Sequence, residues 1–105
     1  MRAHWLLLAL VPLPASAQDF TGATYVCDRD VRVPATYVNG PDQSLVVINV
    51  DGHQITLVDE PAGSGARYGW PSDGSIYVWW TKGDAATLYW KTPEAETLLL
   101  TCKAE

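Results

Sequence analysis

Ile76-Tyr77-Val78-Trp79-Trp80-Thr81-Lys82, then Gly83-Asp84, then Ala85-Ala86-Thr87-Leu88-Tyr89, is the stretch on which the fold reading turns. Its two arms are built from β-branched and aromatic residues, the types that fit a pleated, half-buried surface. Lys82-Gly83-Asp84 between them has the composition of a tight turn. The segment therefore predicts two antiparallel strands and a hairpin. Strand alternation puts Ile76, Val78 and Trp80 on one face and Tyr77, Trp79 and Thr81 on the other. Both faces carry rings, so an aromatic lies outside the core as well as in it. The alternation leaves Trp79 as either a surface contact or, the favoured reading, a ring packed under a neighbouring loop.

Working outward, the same texture continues in both directions. Strands are expected at about 24–28, 33–39, 45–50, 54–59, 66–68, 75–82, 86–91 and 97–103. Turn signals separate them: Asn39-Gly40-Pro41-Asp42, Asp51-Gly52, the Pro/Gly/Ser run from Glu60 to Gly65, and Pro71-Ser72-Asp73-Gly74. No segment has sustained 3.6-residue periodicity, and there are no repeats. Eight short strands with short connections form a meander, and closing it into a barrel removes its exposed edges. The expected fold is all-β, a small antiparallel eight-stranded barrel.

The N-terminal 17 residues read differently. Arg2 precedes an apolar run from Leu6 to Leu13, and Ala15-Ser16-Ala17 is a small-residue cleavage site before Gln18. The run falls short of the ~20 residues that a membrane span needs. Residues 1–17 are thus expected to be a signal peptide and 18–105 a single exported domain. A lipoprotein would carry Cys where Gln18 stands, so the expectation is a soluble periplasmic protein without membrane insertion.

A domain of 88 residues buries a core that is only marginally large. The two cysteines, Cys27 and Cys102, lie near either end of the mature chain. In an oxidising compartment they should pair, and the bridge would close a loop of 75 residues. Without the leader, six Lys and Arg face twelve Asp and Glu, a net charge of −6. That balance argues against a nucleic-acid or anionic-membrane surface, which would need a basic patch. It suits a basic partner, and equally it suits simple solubility.

Catalysis finds little support. His53 is the one histidine after the leader, follows the Asp51-Gly52 turn, and has no companion at metal-ligand spacing. The paired cysteines are unavailable as nucleophiles. No nucleophile elbow or phosphate-cradling loop is present. The close acidic pairs, Asp28/Asp30 and Asp59/Glu60, lie in a chain too small to hold two carboxylates across a deep cleft. No catalytic residue, metal or cofactor is expected.

Ser64-Gly65-Ala66-Arg67-Tyr68, paired with the Lys82-Gly83-Asp84-Ala85-Ala86-Thr87-Leu88 turn, resembles the family of membrane-bound and periplasmic inhibitors of c-type lysozyme. Tyr25-Val26-Cys27-Asp28, the alternating 33–39 run with Tyr37, and Cys102 fit as well, so the resemblance spans the whole mature chain. It implies a small eight-stranded barrel closed by one disulfide, with c-type lysozyme as the partner. It further implies that Ser64, beside Gly65, and Lys82 enter the lysozyme cleft, and that Tyr68 supports the loop or touches the cleft wall. Gly63 and Gly65 would allow the backbone a close approach. Arg67 falls between two residues of the opposite face and is expected to ion-pair on the barrel itself. The stretch 69–75 is longer than the family's usual turn and could reposition the loop or add Trp70 as a contact. Ala85 replaces an acidic residue of the family pattern, a change expected to affect turn solvation.

Two other functions fit parts of the sequence. Trp70, Trp79, Trp80 and Trp90 could stack on sugars in a carbohydrate- or peptidoglycan-binding module. A structural envelope subunit would require a large exposed apolar patch. The direction in which the rings point separates the first rival from an inhibitor. Monomer and homodimer are both open.

Overall fold

The computed structural model describes residues 19–105, so the signal-peptide reading falls outside the described residues. Eight antiparallel strands close into a barrel in strict sequence order. They are β1 (Asp19–Cys27), β2 (Arg32–Asn39), β3 (Ser44–Val50), β4 (His53–Glu60), β5 (Ala66–Gly69), β6 (Ile76–Lys82), β7 (Ala85–Lys91) and β8 (Glu96–Ala104). A short 3-10 turn, Asp28–Asp30, links β1 to β2. All eight expected strands are present. The largest difference is at β1, which begins five residues before the expected Thr24. Asp19-Phe20-Thr21-Gly22 shows no apolar alternation because all four residues are exposed. Backbone pairing with β2, from Asp19 opposite Asn39 onward, makes this extension a strand.

The barrel closes where β1 meets β8, over only three pairs: Tyr25 with Ala104, Val26 with Lys103 and Cys27 with Cys102. The last of these is the disulfide, which joins residues 75 apart. The covalent bond thus sits on one of the three short, three-pair seams of the sheet, the others being β4–β5 and β5–β6. In the chain-entropy account a loop of that size contributes about 4.5 kcal/mol. Thr101 N–H donates to the Asp28 carboxylate at 2.8 Å, extending the seam beyond the backbone pairs. Opposite Leu88 and Tyr89 the β8 register skips a residue, and Leu98 and Leu99 are left exposed there.

The interior is filled from every strand: Tyr25, Val33, Ala35, Val46, Ile48, Leu57, Tyr68, Trp79, Ala86, Leu88, Leu100 and both cysteines. Trp79 is the largest fully buried side chain. This corrects the expected position beneath a loop: Trp79 is inside the barrel, and Trp80 lies on the outer face. Cross-strand register sets the choice, because Trp79 pairs with the inward residues Tyr68 and Leu88, whereas Trp80 pairs with Arg67 and Thr87. The buried indole N–H must find an acceptor. It donates to the Tyr37 hydroxyl at 2.9 Å, and that hydroxyl also bonds the Tyr25 hydroxyl at 2.6 Å. The Tyr25 ring meets Trp79 edge-on with centroids 5.2 Å apart.

Candidate functional site

Ser64 precedes β5 and Lys82 ends β6. Antiparallel pairing of these strands, with Ala66 opposite Thr81 and Tyr68 opposite Trp79, brings the two residues to the same end of the barrel. Both are exposed. The loop between β4 and β5 folds down on the strand end, and Gly65 is the point of contact. Its φ is +65°, and a Cβ there would lie 2.1 Å from the Thr81 carbonyl oxygen and 2.8 Å from Lys82 Cγ. Only glycine fits both the backbone conformation and the space. Gly63 has nothing within 4 Å. The two glycines flanking Ser64 therefore differ: Gly65 is dictated by the barrel, whereas Gly63 faces open space.

Trp80 lies beneath this pair. Its indole N–H donates to the Ser64 carbonyl at 2.8 Å. The Lys82 ammonium sits 4.8 Å from the ring centroid, and the Arg67 guanidinium sits 5.0 Å from it. Both distances fall within cation–π range. Sequence reasoning grouped Trp80 with Ile76 and Val78 on one strand face and missed these contacts. The available signal was its position two residues before Lys82 on the same strand face.

Arg67 ion-pairs on the barrel itself. Its Nε bonds the Glu60 carboxylate at 2.5 Å, and a terminal nitrogen bonds Glu96. The Glu96 hydrogen bond leads in holding its pKa above the usual guanidinium value, with burial opposing and Glu60 assisting. Glu60 in turn lies over Gly69, where a Cβ would come within 2.4 Å of its Oε1. Arg32 pairs with Glu105, and Lys103 approaches Asp84 at 3.9 Å. Lys82, like Arg29 and Lys91, has no carboxylate within ion-pairing reach among the described residues.

Tyr68 points inward and is 5% exposed. With Thr21, Tyr25, Tyr37, Asn39, Thr81 and Gly83 it lines an open cavity of about 250 Å³ at the Lys82 end. Burial, then the nearby Asp59 charge, pushes its hydroxyl pKa above the ordinary value. Trp70 is 47% exposed. Its loop joins the end of β5 to the start of β6 and so leaves the sheet at the end opposite Ser64 and Lys82. Trp90 packs edge-on against Tyr77, with centroids 4.8 Å apart. His53 lies exposed on the hairpin after β3, its Nδ1 3.2 Å from the Asp51 carbonyl.

The chain is 34% identical over 89 residues to a membrane-bound lysozyme inhibitor of C-type lysozyme from Cupriavidus necator, covering 83% of this chain and 68% of the relative. A protein of the same description from Pseudomonas aeruginosa is 33% identical, with 89% and 91% covered. The fold matches the crystal structure of Pseudomonas aeruginosa MliC in complex with hen egg white lysozyme. That match has a TM-score of 0.68 and 30% identity, and it covers 90% of this chain and 92% of the other. The family model for membrane-bound lysozyme-inhibitor of c-type lysozyme matches residues 25–96. With the strand order, the disulfide and the Ser64–Lys82 end in place, these matches put the chain in the membrane-bound lysozyme-inhibitor of c-type lysozyme family.

Proposed function

We propose that this protein inhibits c-type lysozyme by seating Ser64 and Lys82 in the active-site cleft, and that it has no turnover of its own. The observation that carries the reading is the shared position of these residues: both exposed, at one barrel end, with Gly65 wedged against the Lys82 stem. A c-type lysozyme cleft holds two carboxyl groups, one kept protonated and one ionised. A small hydroxyl on a protruding loop reaches such groups, and an unpaired ammonium on a long stem neutralises the charged one. Charge-assisted hydrogen bonds of this kind contribute about 1.5–3 kcal/mol each. Tyr68, inside the barrel, backs the loop from within. The net charge of −6 on residues 18–105 steers encounter with a basic lysozyme, more strongly at low salt.

The sugar-binding alternative requires aligned exposed rings. Trp79 is enclosed, Trp80 carries two cations, Trp90 packs on Tyr77 and Trp70 stands at the other end of the barrel. No observation favours it.

The location proposed is the periplasm, in soluble form, because Gln18 rather than Cys follows the small-residue cleavage site. Release by osmotic shock, without detergent, is the expected result. Recovery in the membrane fraction would overturn this part.

Clearing of a bacterial cell-wall suspension by a c-type lysozyme tests the inhibition. Wild type should stop clearing near stoichiometric amounts. Lys82→Ala should weaken inhibition at least about thirtyfold, since stranding one member of a buried charge pair costs ~2–5 kcal/mol. Ser64→Ala should weaken it about tenfold for a lost hydrogen bond to a charged group. Full clearing in the presence of wild type, across several c-type lysozymes, would sink the reading.

A further inference from the structure

We infer that Trp80 is a positioning residue that fixes Ser64 and Lys82 as one preassembled unit before lysozyme is met, an inference that rests on the inhibitory reading above. Ser64 and Lys82 come from different segments, and each is exposed. One indole holds both. Its N–H fixes the Ser64 carbonyl at 2.8 Å, and its ring carries the Lys82 ammonium at 4.8 Å. Gly65, pressed against Thr81 and the Lys82 stem, closes the same unit from the loop side.

Physical need supports the assignment. Lysine is among the side chains with most rotamer freedom to lose on binding, and a Pro/Gly/Ser loop has comparable backbone freedom. Ordering them in the free protein removes that cost from the binding step. The second cation on the ring, Arg67, would repel Lys82 if it were bare. Glu60 and Glu96 neutralise it, so Trp80 can hold Lys82 while Arg67 braces the ring. The partly buried Arg67 cluster thereby acquires a role at the exposed end of the barrel without touching the partner. A ring attraction is also weak enough to be given up when a carboxylate becomes available.

The experiment uses the whole mature protein and two variants. Trp80→Phe keeps a ring face and removes the N–H donor, and Trp80→Leu removes both. In the free protein, backbone ¹⁵N relaxation should show residues 63–65 gaining mobility in both variants, and side-chain methylene relaxation should show the Lys82 stem gaining it only in Trp80→Leu. Inhibition should weaken about fivefold in Trp80→Phe, for one hydrogen bond, and about thirtyfold in Trp80→Leu. In a Ser64→Ala/Lys82→Ala background, Trp80→Leu should have little further effect, because what it positions is gone.

Unchanged loop order in both variants would overturn the inference, as would a Trp80→Leu effect that persists at full size in that background. Should Trp80→Leu fail to fold, wild type alone still decides. The Trp80 indole N–H should exchange with solvent more slowly than that of Trp70, and equal rates would overturn the inference. A wild type that inhibits no lysozyme removes the functional reading, while relaxation and exchange still show whether Trp80 fixes the pair.

Discussion

Trp79 and Trp80 are neighbours in the chain and belong to two different regions of the molecule. Trp79 is enclosed, with its N–H on Tyr37 and its ring against Tyr25. Trp80 is half-buried on the outer wall, with its N–H on a loop carbonyl and its ring under two cations. The same side chain satisfies the same two needs, an acceptor and a surface to cover, with interior partners in one case and site partners in the other. The interior region holds the barrel together, and the outer region holds a loop and a lysine where a partner can reach them. Truncation should therefore affect stability at one and recognition at the other.

The largest expected effect is at Trp79. Trp79→Ala should cost about 3–5 kcal/mol of stability, the range for emptying an aromatic site in a core. Trp80→Ala should cost about 1–2 kcal/mol from partial loss of buried area, yet weaken inhibition about thirtyfold, as Trp80→Leu should. Urea unfolding followed by far-ultraviolet circular dichroism measures the first quantity. Equal destabilisation by the two truncations would erase the division between the regions.

A sharper division runs between the glycines on either side of Ser64. Gly65→Ala places a Cβ 2.1 Å from the Thr81 carbonyl and forces a side chain on a backbone at φ +65°. The left-handed conformation alone costs about 1–2 kcal/mol. The clash has to be relieved by lifting the loop, so Ser64 and Lys82 separate. Gly63→Ala meets nothing within 4 Å and should be close to neutral. Inhibition assays on the two variants, beside their melting temperatures, make the comparison. Comparable inhibition by both would mean that the close approach at Gly65 does not set the site.

Much of this organisation was legible in the sequence, and the limits have physical causes. Strand existence was readable because β-branched and aromatic runs alternate with turn residues of fixed chemistry. The 19–22 part of β1 was not, because its stability comes from pairing with β2 and its four residues are exposed. The Cys27–Cys102 bridge was readable from compartment and count, but not its position on the β1–β8 seam that closes the barrel. The inside–outside choice for Trp79 and Trp80 failed for a related reason. A strand with rings on both faces has no internal marker of which face is buried, and only register with Tyr68, Leu88, Arg67 and Thr87 decides it. At the site, the family resemblance singled out Ser64 and Lys82, and hairpin logic explains why they share one end. The same logic places the Trp70 loop at the other end. Arg67 was legible as a barrel ion pair from strand alternation alone, whereas Glu60 and Glu96 as its partners required the fold.

The smallest expected effect distinguishes the interior by its acidity. Burial, foremost, raises the Tyr37 hydroxyl pKa well above the ordinary tyrosine value, and the Tyr25 hydroxyl adds to the shift while the Trp79 N–H opposes it. Tyr68 moves the same way, again chiefly through burial. A tyrosine ionises by losing a proton, so a raised folded pKa means that the unfolded chain gives up that proton first. Below pH 10 both states keep it, and stability is unaffected by these groups. Above pH 10 the unfolded state binds fewer protons than the folded one, and stability falls with rising pH. Urea midpoints at pH 8, 9, 10 and 11 should be level at first and then decline. Tyr37→Phe, though less stable throughout because Trp79 loses its acceptor, should decline less steeply over the last step. Parallel curves for wild type and Tyr37→Phe between pH 10 and 11 would show that Tyr37 does not carry the dependence. The interior would then differ from the outer wall in packing alone.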